Sequence, residues 1–532
     1  MIPPIVYDMK KLYPVGAIAH PKCLWLIVGF TLSSCHTAPA EVPTHDWLTG
    51  FGGVSEDFSR AVVVDKLGNS YVTGSFSGTA SFGETTLTSS GSSDVFLAKL
   101  NRHGETLWAV RAGSGSTATE EGRALAVDDA GHVFLTGGFS GDSTFGSTNL
   151  MSRGGLDVFL AKYTAYGEVV WARSFGGSAD FEYGLGLALD PAGNILLTGQ
   201  FQGVAIFGTT NLISRGGQDA FLAKCSGNGE VLWVSQAGGT QTDIGRTVAT
   251  DASGDSYVSG WFAGATTFGQ STVLNSAGSS DAFVARYDPQ GNLVRVTSFA
   301  TARADLAYGF ALDAAANGYF LAWTDSIGGS QLVLQKFNAA GAFQWSRAMR
   351  VNSDASARGS LVADSAGNTF FTSQFSGVAD FAGRMLQSRG TADAFVARFD
   401  STGGAQWVAQ AGGPGVKEGR GVALDGFGGA IVTGRFNVSV GIGALELATA
   451  GLGDVFIARF NEPPVLEVLL SADSVAVSWP SSATRLKLQI AGRFPADASW
   501  QDVVQVPSEV AGRKVVRNSL TSSNRFYRLS EQ

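Results

Sequence analysis

The sequence predicts an all-β chain: a seven-bladed β-propeller closed by its own N-terminal strand, followed by a small C-terminal β-sandwich. Three observations lead there. A single pattern repeats seven times, each unit holds at least four strand-like runs, and the last unit lacks a run that is instead found ahead of the first.

The repeat reads Ala-Val-x-Asp-x-x-Gly-Asn, then Tyr-Val-Thr-Gly-x-Phe, Phe-Gly, Asp-x-Phe-Leu-Ala-Lys and Gly-x-x-x-Trp. Its first aspartate falls at Asp65, Asp128, Asp190, Asp251, Asp313, Asp364 and Asp425, so the fifth unit is shortened. Within the first unit the strand-like runs are Arg60–Asp65, Ser70–Phe76, Val95–Leu100 and Thr106–Val110. They are β-branched and aromatic, bounded by glycine turns, and nearly continuous in apolar character, as strands covered on both faces are. A parallel β-helix has shorter rungs, so four strands per unit favour a propeller blade. The Trp run recurs at Trp108, Trp171, Trp233, Trp345 and Trp407, with Arg295 in that register in the fourth unit. The seventh unit stops at Phe460 without one, yet Asp46-Trp47-Leu48-Thr49-Gly50-Phe51-Gly52-Gly53 precedes the first. Pairing that first strand with the last blade closes a ring and removes its open edge.

Composition agrees. The 532 residues are 44% hydrophobic, with 70 Gly against 14 Pro, the balance of many short strands joined by glycine turns. Net charge is −8 and no Lys/Arg-rich stretch occurs, so nucleic acid is not an expected partner.

The chain opens with Lys10, Lys11 and Lys22 ahead of an apolar run from Cys23 to Leu32, too short to span a bilayer and sized for a signal-peptide core. Leu32-Ser33-Ser34-Cys35 resembles a bacterial lipobox, which implies acylation of Cys35; a cleaved signal without lipid is the alternative. Residues 1–35 are thus expected to be leader, 36–46 linker, 47–460 propeller and 461–532 the C-terminal domain. Cys23 leaves with the leader and Cys35 carries lipid, so Cys225 has no partner for a disulfide. Its register is held elsewhere by Leu100, Tyr163, Tyr287, Phe337, Phe399 and Phe460, which marks a buried apolar slot.

The units resemble the bacterial propeller repeat known as the SBBP repeat, over about Trp47 to Phe460. The likeness implies a secreted or envelope location and no common activity. Integrin-type FG-GAP blades share the Phe-Gly but carry a calcium loop missing here. After Asn461-Glu462-Pro463-Pro464, runs such as Val475–Pro480 and Leu486–Ile490 alternate as in a small β-sandwich, similar to fibronectin-like C-terminal modules. A surface-sorting tail is the other reading of that segment.

Chemistry-bearing residues are few. The Asp-x-x-Gly-Asn runs supply too few hard oxygens for calcium and suit tight hairpins; Asp94, Asp157, Asp219, Asp281, Asp393 and Asp454 likewise read as strand-start residues. None of the five histidines has metal-ligand spacing, and no catalytic motif or cofactor fingerprint is present, so no cofactor is implied. Asp57, Glu120, Glu182, Asp243 and Asp305 stand eight residues before their unit's first aspartate, with Glu418 displaced by one; Arg60, Arg123, Arg246 and Arg420 stand five before it. If the first run is innermost, these residues ring one mouth of the channel. Glu120, Arg123, Asp243, Arg246, Glu418 and Arg420 are therefore the candidate ligand residues, against a second reading in which they are inter-blade ion pairs fixing register. Trp261 and Trp323 fall outside the Trp register and are candidates for exposure. The function expected is a lipid-anchored, non-enzymatic scaffold, monomeric and at the outer membrane or cell surface, for an envelope protein or glycan. The alternative is a polysaccharide lyase or hydrolase working on the loop-rich face, with the fifth unit as the asymmetric notch.

Overall fold

The computed structural model describes residues 23–28, 44–461 apart from positions 114, 116–118, 179–180, 326–328, 354–358 and 427, and after 461 the stretches 467–470, 474–480, 486–491, 501–510, 513–519 and 525–531. Every regular element in it is a strand. The chain divides into a unit spanning His45–Phe460 and a second formed by Asn461–Gln532 with Met1–Thr44.

The larger unit is a seven-bladed propeller. Its first blade orders Phe58–Val64, Ser70–Phe76, Asp94–Leu100 and Thr106–Ala112 as an antiparallel meander, from inside to outside. The innermost strands begin at Phe58, Glu120, Tyr183, Ile244, Asp305, Ser360 and Lys417, and each touches the next around a closed circuit. In the seventh blade, Lys417–Leu424, Gly429–Phe436 and Asp454–Asn461 are followed outward by Thr44–Gly53, so the ring closes with the N-terminal strand. Phe51 of that strand is 2% exposed and packs with Phe82 and Phe96.

The turn residues act as the sequence implies. Asp65 Oδ1 accepts from the backbone N–H of Leu67 and Asn69, both at 2.9 Å, while Gly68 takes a positive φ of 82° that a side chain would oppose. Asp157, Asp219 and Asp393 each accept from the backbone N–H four residues earlier. Cys225 is fully buried, and burial pushes its thiol up to about 12. Trp323 is buried, its indole N–H donating to Ser353 O at 3.2 Å, whereas Trp261 is half-buried.

The Phe-Gly runs join one blade to the next. In the first unit Thr79–Phe82 and Thr85–Thr88 form a hairpin that leaves its own blade and pairs with Thr44–Gly53, the outer strand of the preceding one. The third, fourth and sixth units repeat this clasp on Val169–Gly177, Val231–Gly239 and Phe343–Arg350. The second and seventh make it through single bridges, Gly113 to Thr144 and Gly412 to Gly441. The shortened fifth unit has no such hairpin among the described residues, and Leu293–Phe299 is the last strand of the fourth blade.

In the smaller unit, Glu467–Leu470, Ser474–Pro480, Arg513–Ser519 and Ser508–Val510 form one sheet, and Leu486–Ala491, Arg525–Glu531 and Gln501–Asp502 belong to another. Val475, Val477, Trp479 and Val516 from the first share a core with Leu488 and Tyr527 from the second. Cys23–Val28, expected to belong to a leader outside the fold, lies antiparallel to Arg525–Glu531, with Cys23 opposite Ser530 and Val28 opposite Arg525. An apolar extended run satisfies the unpaired backbone of an edge strand, and removing it leaves that edge open.

Candidate functional site

The handover acids are built into the walls. Asp57, Glu120, Glu182, Asp243 and Asp305 are each 0–1% exposed, so they do not ring an open mouth. Asp243 accepts from Gly239 N (2.8 Å), Ala263 N (3.2 Å) and Thr266 Oγ1 (2.7 Å), tying the start of the fourth blade's inner strand to the clasp beside it. Asp57 accepts from Gly53 N (2.9 Å) and Ser77 N (3.2 Å), and Asp305 from Thr301 N (2.6 Å). Glu120 accepts from Ser143 Oγ. Asp57, Asp243 and Asp305 thus accept from backbone amides, and Asp243 and Glu120 from hydroxyls, while Arg60 and Glu121 form an ion pair between blades one and two. Burial raises Asp57 to about 7 and Asp243 to about 6. In the seventh blade Lys417 takes the buried position and donates to Pro414 O, which displaces Glu418 outward by one.

The arginines are placed differently. The register of the two inner strands slips by one residue in six blades, and the residues skipped are Arg60, Arg123, Leu185, Arg246, Tyr308 and Arg420. A bulge of this kind re-aims one side chain out of the ladder. Arg60 and Arg123 both bond Glu121, and Arg420 Nε donates to Glu418 at 2.9 Å. The Arg123 guanidinium stands 4.9 Å from the Tyr183 ring centroid. Burial lowers the pKa of Arg123 and Arg420, the two glutamates opposing it, and the charges of Arg60 and Arg123 add to the lowering at Arg420. Arg420, Arg60 and Arg123 lie on the inner strands of three consecutive blades, beside Glu418 and Glu121. Arg123 Nε and Arg420 Nη1 have no hydrogen-bond partner among the described residues. Of the candidate ligand residues, the structure thus pairs Arg420 with Glu418 and Arg123 with Glu121, buries Glu120 and Asp243 in the walls, and sets Arg246 at the same bulge in the fourth blade.

At five of the seven seams the register Trp lies over the turn glycine of the next blade: Trp47 over Gly104, Trp108 over Gly167, Trp171 over Gly229, Trp233 over Gly291 and Trp345 over Gly403. Four of these indoles donate to the carbonyl two residues before that glycine, Trp47 to Arg102, Trp108 to Ala165, Trp233 to Pro289 and Trp345 to Ser401, at 3.0 to 3.2 Å. Between blades four and five, Arg295 replaces the indole, lies over Gly341 and donates to Ala340 O. A cavity of about 40 Å³ opens there, walled by Tyr257, Phe299, Phe310, Phe320 and Phe337, with Arg286 and Arg295 on its lining. This is also the seam without a clasp.

Fold and sites together define a seven-bladed β-propeller with arginine–glutamate pairs on its inner strands and one irregular seam. No family model matches the chain. Among curated proteins it is 26% identical over 299 residues to an uncharacterized WD repeat-containing protein of Acanthamoeba polyphaga mimivirus, covering 44% of this chain and 22% of that one. It is 27% identical over 144 residues to the regulatory protein FlaEY of Caulobacter vibrioides, covering 26% and 15%. The chain thus spans less than a quarter of either relative. Among solved structures it is similar to the Pyrococcus horikoshii acylaminoacyl peptidase (TM-score 0.37, 8% identity, 79% of this chain and 57% of that one). Puromycin hydrolase (0.38, 11%, 80% and 59%) and polysaccharide lyase Uly1 (0.30, 11%, 77% and 90%) are further similar structures. None of these likenesses transfers an activity.

Proposed function

We propose that the chain is an envelope-anchored, non-enzymatic scaffold of the SBBP-repeat type, acylated at Cys35 and presenting its ring to a protein or glycan. Cys35 lies outside the described residues, so the anchor rests on the lipobox-like sequence. The observation behind the binding role is how the ring spends its ionisable groups. Asp57 and Asp243, handover carboxylates that a lyase or hydrolase would draw on, are buried and bonded to backbone and hydroxyl donors. Arg60, Arg123 and Arg420 place guanidinium groups on the inner strands, and guanidinium binds carboxylate, sulfate or phosphate groups without performing acid–base chemistry. An acidic protein loop or an acidic glycan is the ligand this favours.

Cross-linking capture from native envelopes with the full chain, alongside Arg123→Gln/Arg420→Gln, tests the reading. One dominant partner retained by the wild type and reduced about tenfold in the double variant is expected, the scale of one lost charge-assisted contact. A partner held equally by both removes these arginines from the binding role, and turnover of a polysaccharide by the chain supports the enzymatic alternative. Metabolic labelling with an alkyne fatty acid reports the anchor: Cys35→Ser is expected to abolish incorporation.

A further inference from the structure

We propose that the seam between blades four and five is a binding site for a small aromatic carboxylate. The repeat itself shows what belongs there. In other blades the aromatic residue on the second strand faces the register Trp of the same sheet, as Tyr71 does Trp108 (centroids 6.1 Å apart), Tyr319 Trp345 (6.3 Å) and Phe370 Trp407 (5.9 Å). In the fourth blade Arg295 stands in the Trp position, and Tyr257 instead stacks on Phe310 of the fifth, 5.6 Å apart and 16° from parallel. A guanidinium is smaller than an indole and reaches away to Ala340 O, so the space beside it is left open between aromatic walls. Its 40 Å³ is about three times the ~10–15 Å³ that admits one water, too little for a sugar chain.

Charge selects among planar rings. Arg286 is neutralised by Asp255 at 2.7 Å. Arg295 has no ion pair among the described residues and is one of the residues that line the cavity, and a guanidinium donates to a carboxylate in pairs. Tyr257, Phe310 and Phe320 are 1–7% exposed, so the ring's bed is preformed and dry. The missing clasp exposes this seam, since no hairpin crosses Leu293–Phe299. The site is separate from Arg123 and Arg420, so either proposal stands if the other fails.

Equilibrium dialysis of labelled benzoate against the full chain, with thermal unfolding in parallel, tests it. Saturable uptake of one equivalent at millimolar concentration is expected, with cyclohexanecarboxylate and benzyl alcohol each about tenfold weaker for want of planarity or charge. Arg295→Trp restores the repeat's own residue, so it is expected to fold, to unfold at a higher temperature and to lose benzoate. Arg295→Gln keeps the cavity and is expected to bind benzoate about tenfold more weakly while leaving benzyl alcohol unchanged. Absence of saturable benzoate uptake by the wild type, equal uptake of all three probes, or benzoate binding that survives Arg295→Trp overturns the proposal.

Discussion

Asp243 shows how a residue that reads as a ligand contact becomes architecture. Its carboxyl is sealed from solvent and faces three donors, two backbone amides and a hydroxyl, so it fixes where one blade starts relative to the clasp beside it. The sequence located this position in five blades but carried no sign of its burial, because an acid followed by a strand looks alike in a solvated loop and in a wall. Burial sets its proton affinity. The folded chain holds the Asp243 proton to about pH 6, while the ordinary value is 3.8. Between those values the native state binds more protons than the unfolded one, so the group's contribution to stability falls as pH rises. Asp243→Asn leaves a backbone or hydroxyl donor without its acceptor, an expected loss of about 1–2 kcal/mol at pH 4.5 by urea unfolding, and less at pH 8. A deficit that is constant, or that widens toward pH 8, contradicts a carboxyl held neutral by burial. Asp57, raised to about 7, is expected to behave alike over a window reaching one pH unit higher.

The clasp hairpin is the element the sequence concealed. A Phe-Gly turn between short alternating runs announces a hairpin, but not that it pairs with the preceding blade, because the partner strand is chosen by the curvature of the ring. A partial signal was nonetheless present: the Gly-Gly pairs 52–53, 176–177 and 238–239 end three of the clasped outer strands, while Ala300-Thr301 stands in the same place ahead of the unit that lacks the hairpin and Arg350-Val351 ends a strand that is clasped without them. The structure supplies the cause. A Cβ on Gly177 would lie 1.6 Å from Val204 O of the crossing hairpin, and one on Gly239 2.1 Å from Ala265 O. No hairpin crosses at Ala300, so a side chain is tolerated. Gly177→Ala is expected to cost about 3 kcal/mol or more in denaturant unfolding, because a backbone carbonyl has nowhere to move. Ala300→Gly is expected to stay within about 1 kcal/mol of wild type, the entropic difference alone. Equal costs for the two substitutions would separate the glycines from the clasp.

At the scale of the whole molecule the ring was the most legible feature, because a period of about sixty residues is written seven times and the phase of its ends reveals the closure. Trp47 precedes the first unit in the register of Trp108, and the structure makes it the same contact, with the indole over Gly104 and its N–H on Arg102 O at 3.0 Å. The closing strand also supplies Phe51 to the first seam, bonds Arg459 through Asp46, and offers Gly53 N to Asp57. It therefore touches blade seven on one side and the clasp of blade one on the other, and without it both are open sheet edges. Deleting residues 44–53 is expected to abolish cooperative thermal unfolding of the propeller and to drive association through those edges, seen as concentration-dependent growth in light scattering. A synthetic peptide of residues 44–53 added in trans is expected to restore the transition by mass action, with a midpoint that climbs with peptide concentration. The same peptide carrying Trp47→Ala, which lacks the indole latch, is expected to need a higher concentration for the same midpoint. A deleted chain that stays monomeric and melts as the intact one does, or that ignores the peptide, means that the ring is held by the other six seams and that its closing strand is dispensable.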